Sequence, residues 1–228
     1  MTGWCGQFPS TSLLARLPAA SREALLELGT ARKFAAGKIL VQEGDLTSHV
    51  LVLLDGRVKV TATTPDGHVC LLAVRGGGDL IGELAAMDGS PRIATVTTAG
   101  PVMARLVTQA DFRRFLTQHA DVAFAVTGSV GAKLRSATRR WIDFDTREVR
   151  VRLARTLVEL ATNHGIPDGG RIKIDIALTQ PELAALVGAA EPTVHRALAK
   201  LRGEKIVDTG YRRVFVCDRD QLAVVAEG

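Results

Sequence analysis

Two stretches of this 228-residue chain combine residue types and spacing that can do chemistry. The first is Gly78-Asp79-Leu80-Ile81-Gly82-Glu83-Leu84, followed by Ser90-Pro91-Arg92-Ile93-Ala94-Thr95. A glycine that ends a strand and opens a one-turn helix presents unpaired N–H groups, which suit an anion. Arg92 adds a fixed cation able to pair with a phosphate, and Glu83 can accept a hydrogen bond from a ribose hydroxyl. Each piece alone also serves a plain turn or an ordinary salt bridge. Their clustering within one short segment points to a ligand.

The second stretch is residues 178–201. Thr179 is placed to cap a helix, with Pro181 in the first turn and Glu182 at the third helical position, close to a capping box. Leu183, Leu186 and Val187 form its apolar face. Gly188 permits a sharp turn, and Ala189-Ala190 keep the corner small enough for two helices to cross. A second helix opens near Glu191-Pro192 with Val194, Ala197, Leu198 and Leu201 inward. That leaves Thr193, His195, Arg196 and Lys200 on its outer face.

Two short helices around a glycine turn predict a helix-turn-helix whose second helix enters the major groove of DNA. Ile206-Val207, the turn Thr209-Gly210-Tyr211 and Val214-Phe215-Val216 then read as a two-stranded wing. Arg212 and Arg213 at its tip suit phosphates. Arg196 is the candidate base reader, because a guanidinium bonds guanine O6 and N7 together. Thr179, Gln180 and Lys200 are expected on the backbone, and His195 is read as an exposed polar residue. The competing reading of these helices is a hairpin used only for packing.

The elements that must position these groups are segregated along the chain, which predicts an α+β organisation. A helix is expected after Pro18, capped by Ser21 and stopped by Gly29. From Phe34 to about Leu106, apolar runs (39–41, 50–54, 58–60, 69–74) alternate with glycine-bearing turns every 8–12 residues, the signature of an antiparallel β-roll. Residues 121–145 lack proline and place Val130, Leu134, Ala137, Trp141 and Phe144 at steps of four and three. This reads either as a helix packed on its own domain or as the seam of a homodimer. Asp143–Thr146 reads as a hinge, with Thr146 capping a helix whose apolar face is Val149, Leu153, Leu157 and Leu160. A polar loop over 163–170 is then expected to lead into a strand at 172–176. The domains predicted are 1–120, 121–145 and 146–228.

Composition sets outer bounds. The net charge of +5 and pI near 9.4 permit a polyanionic partner. The excess is not concentrated in the DNA-binding half, since residues 149–228 hold 12 Lys+Arg against 10 Asp+Glu. Cys5, Cys70 and Cys217 have no disulfide or metal-ligand spacing, which fits a reducing cytoplasm. The start, Met1 to Cys5, lacks a secretory pattern, and no apolar run approaches the ~20 residues that span a bilayer. No nucleophile–base pair, P-loop or metal-ligand run argues for an enzyme.

The two motifs occur in the order seen in the cyclic-AMP receptor protein (catabolite activator)/FNR family of bacterial transcription regulators, which the chain resembles over roughly residues 10–225. The segment from Gly82-Glu83-Leu84 to Arg92-Ile93-Ala94 resembles the phosphate-binding cassette of cyclic-nucleotide domains. The resemblance implies Glu83 on the ribose, Arg92 on the cyclic phosphate, and the amides of Ile93 and Ala94 nearby. It also implies a dimer on the central helix, a two-fold symmetric operator and contact with RNA polymerase. Cyclic AMP is the implied effector, with another cyclic nucleotide, a different ligand or none left open.

Four positions depart from the family pattern. Ile93 stands where cyclic-AMP binders usually carry a small or hydroxylated residue, which removes a hydroxyl contact and adds bulk near the phosphate. Ala137 and Thr138 match the two hydroxyl residues that receive adenine, so only Thr138 keeps its hydroxyl. Glu191 and Pro192 replace two base-reading residues and leave Arg196, so a TGTGA-type half-site is not expected to be read in full. An FNR-type iron–sulfur cluster is disfavoured by the absence of an N-terminal cysteine cluster. His49 and His68 are read as surface or packing residues rather than haem ligands.

Overall fold

The computed structural model describes residues 8–228, so Cys5 and the Met1–Cys5 segment lie outside it. The chain forms two compact units. One comprises residues up to Gly67 together with Ala73–Ala132, the other His68–Leu72 together with Lys133–Gly228.

The first unit is built on two four-stranded antiparallel sheets. One has the order β1 (Thr30–Phe34), β8 (Val102–Val107), β3 (Val50–Asp55), β6 (Leu80–Ile81). The other runs β2 (Ile39–Val41), β7 (Thr95–Thr98), β4 (Arg57–Thr63), β5 (Val69–Gly76), with part of β5 grouped in the second unit. β3 explains why its sequence is continuously apolar instead of alternating. Leu51 and Leu53 point between the sheets, where they meet Val41, Val58, Ile81 and Val96. Val50 and Val52 point the other way, into a cluster with Leu14, Leu25, Phe112 and Val122 from the surrounding helices. A strand buried on both faces has no polar side to encode.

The helices of that layer are α1 (Leu13–Arg16), α2 (Ala19–Glu27), α3 (Glu83–Asp88), α4 (Gln109–Gln118) and the first half of α5 (Ala120–Thr146). Pro18, not Ser21, caps α2. Ser21 lies inside the helix and donates to Asp121. Asp121 is held below the usual carboxylate range mainly by that hydroxyl. α5 is 27 residues long, about 40 Å at 1.5 Å per residue.

The second unit contains α6 (Val149–His164), the hairpin β9 (Gly165–Asp168) and β10 (Arg171–Ile174), α7 (Gln180–Val187), α8 (Glu191–Gly203), β11 (Val207–Gly210), β12 (Arg213–Val216) and α9 (Arg219–Glu227). Leu153, Ala154, Leu157 and Leu160 of α6 face its core, with Leu183, Leu198, Leu201 and Leu222 also buried. Three sequence expectations change here. Thr146 is the last residue of α5 and back-bonds to Ile142 O; α6 starts after Glu148 without a side-chain cap. The expected loop at 163–170 contains β9, because Gly169 and Gly170 both take positive φ and close a two-residue hairpin. The wing strands belong to a four-stranded sheet of order β11-β12-β10-β9, since β12 also pairs with β10.

Among the described residues no helix is long and apolar enough to cross a membrane, and no His/Cys/Asp/Glu group is disposed to hold a metal.

Candidate ligand and nucleic-acid sites

The cassette is assembled from three segments of the first unit. β6 is followed by Gly82, whose φ of +82° belongs to the left-handed region, and α3 begins at Glu83. A Cβ at Gly82 would meet Arg92 Nη1 at 2.4 Å and His49 O at 2.9 Å. Only glycine therefore fits both this backbone and this guanidinium. The returning chain is pinned by Gly44 N–H to Arg92 O and Arg92 N–H to Asp45 O, at 2.8 and 2.9 Å.

Arg92 is 4% exposed and Glu83 5%. Buried charges at this level require partners, and the guanidinium has them. Its Nε donates to Thr47 Oγ1 at 3.2 Å, Nη1 to Gly82 O at 2.8 Å and Nη2 to His49 O at 2.6 Å. Burial lowers the Arg92 pKa from its usual value, while the charges of Glu83 and Asp45 oppose that shift. Three of the five guanidinium N–H groups are thus used, which leaves one on each Nη for a further acceptor. The sequence did not single out Thr47 or the carbonyl of His49. Nothing in a short polar loop signals that its oxygens will orient an arginine more than 40 residues away.

Leu84 is half-buried and Ala94 buried. Ile93 is 69% exposed between buried Arg92 and Ala94. At the far end of α3, Gln109 and Arg113 of α4 donate to Ala86 O at 3.0 and 2.7 Å, and Arg113 also to Met87 O at 2.9 Å. They satisfy the helix's terminal carbonyls, which have no partner within α3 itself. Thr138 lies on α5, exposed, with its hydroxyl bonded to Leu134 O at 3.0 Å.

In the second unit the capping box is complete: Thr179 Oγ1 accepts from Glu182 N–H, and Glu182 returns the bond to Thr179 N–H at 2.8 Å. Gly188 ends α7 at φ +67°, and Pro192 opens α8. Val194, Leu198 and Leu201 are buried, so Glu191, His195, Arg196 and Lys200 are exposed along the opposite face, with Thr193 half-buried. Arg196 Nη2 lies 3.4 Å from Thr193 Oγ1, which steadies it on the helix surface. Gln180 is exposed at the start of α7. Arg212 occupies the β11–β12 turn with φ +53°, and Arg213 is the exposed first residue of β12.

Around this surface lie contacts the sequence did not disclose. Arg155 of α6 pairs with Asp143 and donates to Ala226 O at 2.6 Å. Arg150 pairs with Glu204 after α8, and Arg152 lies 4.9 Å from the Phe144 ring centroid. Helix α9 was also unforeseen, although Asp218 caps it through Gln221 N–H at 2.9 Å. Aspartate before a short apolar stretch was the available signal.

A roll carrying a buried arginine–glutamate cassette, in one chain with a winged helix-turn-helix, defines a ligand-sensing DNA-binding protein. Residues 31–119 match the model of the cyclic nucleotide-binding domain, and residues 151–225 match that of the Crp-like helix-turn-helix domain. The chain belongs to the CRP/FNR family of transcription regulators. It is 29% identical over 190 residues to a CRP-like cAMP-activated global transcriptional regulator of Mycobacterium tuberculosis, covering 83% of this chain and 85% of that one. It is 26% identical to the cAMP-activated global transcriptional regulator Vfr of Pseudomonas aeruginosa, with 77% and 84% covered. A CRP/FNR-family regulator of Thermus thermophilus superimposes with TM-score 0.70 at 25% identity, over 87% of this chain and 99% of that structure.

Proposed function

We propose that the chain acts as a homodimer that binds a two-fold symmetric operator in duplex DNA, with its affinity set by a cyclic nucleotide, cyclic AMP foremost. The observation that carries this reading is Arg92: buried, held by three protein acceptors, and left with one N–H on each Nη. A monoanionic phosphate completes that arrangement, and Glu83 beside it suits a ribose hydroxyl. The names of the mycobacterial and pseudomonad relatives support cyclic AMP. The ligand set is Gly82, Glu83, Leu84, Arg92, Ile93 and Ala94, with Thr138 of α5 assigned by the family resemblance.

The dimer reading draws on α5, where Leu134, Trp141 and Phe144 are 66%, 77% and 62% exposed along the a/d stripe. Three large apolar side chains in one line on a long helix are accounted for by a second copy of that helix. Two recognition helices related by two-fold symmetry would then enter successive major grooves about 34 Å apart. Arg196 reads a guanine, and Glu191 is placed to accept from cytosine N4. Thr179, Gln180, Lys200, Arg212 and Arg213 hold phosphates, while Thr193 and His195 line the helix. RNA polymerase is the further partner of such a regulator, and the cytoplasm its place of action.

Calorimetric titration with cyclic AMP and cyclic GMP, using Arg92→Ala as control, tests the effector. Micromolar or tighter binding lost in the variant is expected. The same nucleotide should raise DNA affinity about 5–150-fold, the span of a typical 1–3 kcal/mol coupling. Nucleotide binding that persists without Arg92 overturns the site assignment.

A further inference from the structure

The wing carries a feature that the phosphate-contact reading leaves unused. Strands β11 and β12 pair from Val207↔Val216 to Gly210↔Arg213, so their connection is only Tyr211 and Arg212. Arg212 holds φ +53°, a conformation that costs an ordinary L-residue about 1–2 kcal/mol. Tyr211, the chain's single tyrosine, is 89% exposed. A large aromatic ring is thus carried at the apex of a tight hairpin, beside a strained arginine.

The hairpin beneath it is stiffly mounted. β12 is paired on both sides within a four-stranded sheet. Arg202 near the end of α8 donates to Thr209 Oγ1 of β11 at 3.0 Å, which ties the recognition helix to the wing two residues before the tip. The acidic residue nearest the tip, Asp208, is paired with Arg171 at 3.3 Å, whose guanidinium also covers the Phe215 ring at 4.4 Å. With that carboxylate engaged, the apex presents Tyr211, Arg212 and Arg213 as a cationic, aromatic point.

Reach decides what such a point meets. Four strand residues advance about 13 Å at 3.3 Å each, close to the ~12 Å width of a major groove. A hairpin of that length leaving the end of a helix seated in that groove would be long enough for its tip to reach past the flanking phosphates to the edge of the next minor groove. That groove is about 6 Å wide and presents only N3 and O2 acceptors at A·T pairs. Where A·T runs narrow it, the negative potential draws arginine in.

We propose that Tyr211 and Arg212 form a minor-groove reader that gives this protein a preference for A·T-rich sequence outside the half-sites contacted by α8. Arg212, in place of the phosphate contact given above, enters the narrow groove, and Arg213 alone of the two keeps the flanking phosphate. Tyr211 lies against the sugar wall with its hydroxyl donating to a base acceptor, a contact G·C pairs oppose by placing the guanine amino group in its path. The inference rests on the DNA-binding reading and adds a second element of sequence selection to it.

The test is selection of full-length protein against a pool of duplexes of randomised sequence, with and without cyclic AMP, for wild type, Tyr211→Ala, Tyr211→Phe and Arg212→Ala. Wild type should enrich symmetric half-sites bordered by A·T pairs. Tyr211→Ala and Arg212→Ala should keep the half-sites and lose the border preference several-fold, and Tyr211→Phe should lose part of it. Arg212→Ala should also lower the slope of log affinity against log salt by about one, while Tyr211→Ala leaves it unchanged. A wild-type pool with half-sites but no border preference, or Tyr211→Ala retaining it, overturns the inference alone. A wild-type pool with no enriched half-site under either condition overturns the DNA reading and this inference with it.

Discussion

Replacing Gly82 by alanine, alone and together with Arg92→Ala, tests the geometry of the cassette. At φ +82° an alanine bears about 1–2 kcal/mol of backbone strain. Its Cβ would also sit 2.4 Å from Arg92 Nη1 and 2.9 Å from His49 O. The guanidinium can retreat and the carbonyl cannot, so Gly82→Ala should break the bonds from Arg92 to Gly82 O and His49 O. A buried carbonyl left without its donor costs about 1–3 kcal/mol. Gly82→Ala is therefore expected to cost about 2–5 kcal/mol, allowing for water reaching one of the two carbonyls. Arg92→Ala removes the same two bonds, along with the one to Thr47 Oγ1, and on the same allowance should cost about 1–3 kcal/mol. In the double variant those bonds are lost once, and the Nη1 conflict no longer exists. The two costs should then fall short of additivity by at least about 1 kcal/mol, well outside the ~0.3–0.5 kcal/mol scatter of independent sites. Native-state hydrogen exchange of the β3 amides reads this quantity, because it follows the opening of the roll itself. Additivity within that scatter would refute the placement of the guanidinium against Gly82.

The imidazole of His49 is held below its usual 6.5 by burial first and by the Arg92 charge second, against a backbone hydrogen bond that raises it. Its protonated form is therefore disfavoured in the folded state. The stability it contributes is complete above about pH 6.5 and declines as pH falls through the lowered folded value. Arg92→Ala should move the His49 titration, followed by NMR, upward, and an unmoved titration would remove the charge from the account. On α5, Leu134→Asp sets two carboxylates against each other at the proposed two-fold seam and removes apolar burial of about 1.5–3 kcal/mol per side chain. Sedimentation should show monomers; a dimer of unchanged affinity would assign the exposed stripe to another partner.

How legible the chain was depends on which physical signal each element carries. The roll was readable because glycine turns at 44, 56, 67 and 78 all take positive φ and separate β-branched and leucine-rich runs. The helix-turn-helix was readable because its cap, turn and buried face follow local rules: Thr179 with Glu182, Gly188 at φ +67°, and Val194 with Leu198 and Leu201. The errors fall where local rules compete. Ser21 is a good cap by type, but Pro18 already fixes the backbone from which α2 starts. Thr146 is equally suitable by type, yet the helical pattern of α5 runs through it. β9 was hidden because Gly-Ile-Pro-Asp looks like a loop until β10 supplies its partners. Proline is tolerated in β9 because it is an edge strand.

The cassette was legible in its charges and not in its supports, and that difference bears on how such a site can switch. The sequence supplies Glu83 and Arg92, whereas Thr47 Oγ1 and the carbonyls of His49 and Gly82 come into play only through folding. These supports already fix the guanidinium before any ligand arrives. A phosphate therefore gains a preorganised partner, and little of its binding energy is diverted to ordering the arginine. By the same token, a contact present at equal strength in two conformations cannot favour either of them. On the proposed reading, an Arg92 contact kept alike in both conformations sets how tightly the anion is held, and a change in DNA affinity comes from ligand contacts that differ between them. Thr138 on α5 is the proposed ligand residue outside the cassette. The proposal predicts a separation: Arg92→Ala should abolish nucleotide binding in calorimetry, whereas Thr138→Ala should keep binding and lower the nucleotide's effect on DNA affinity.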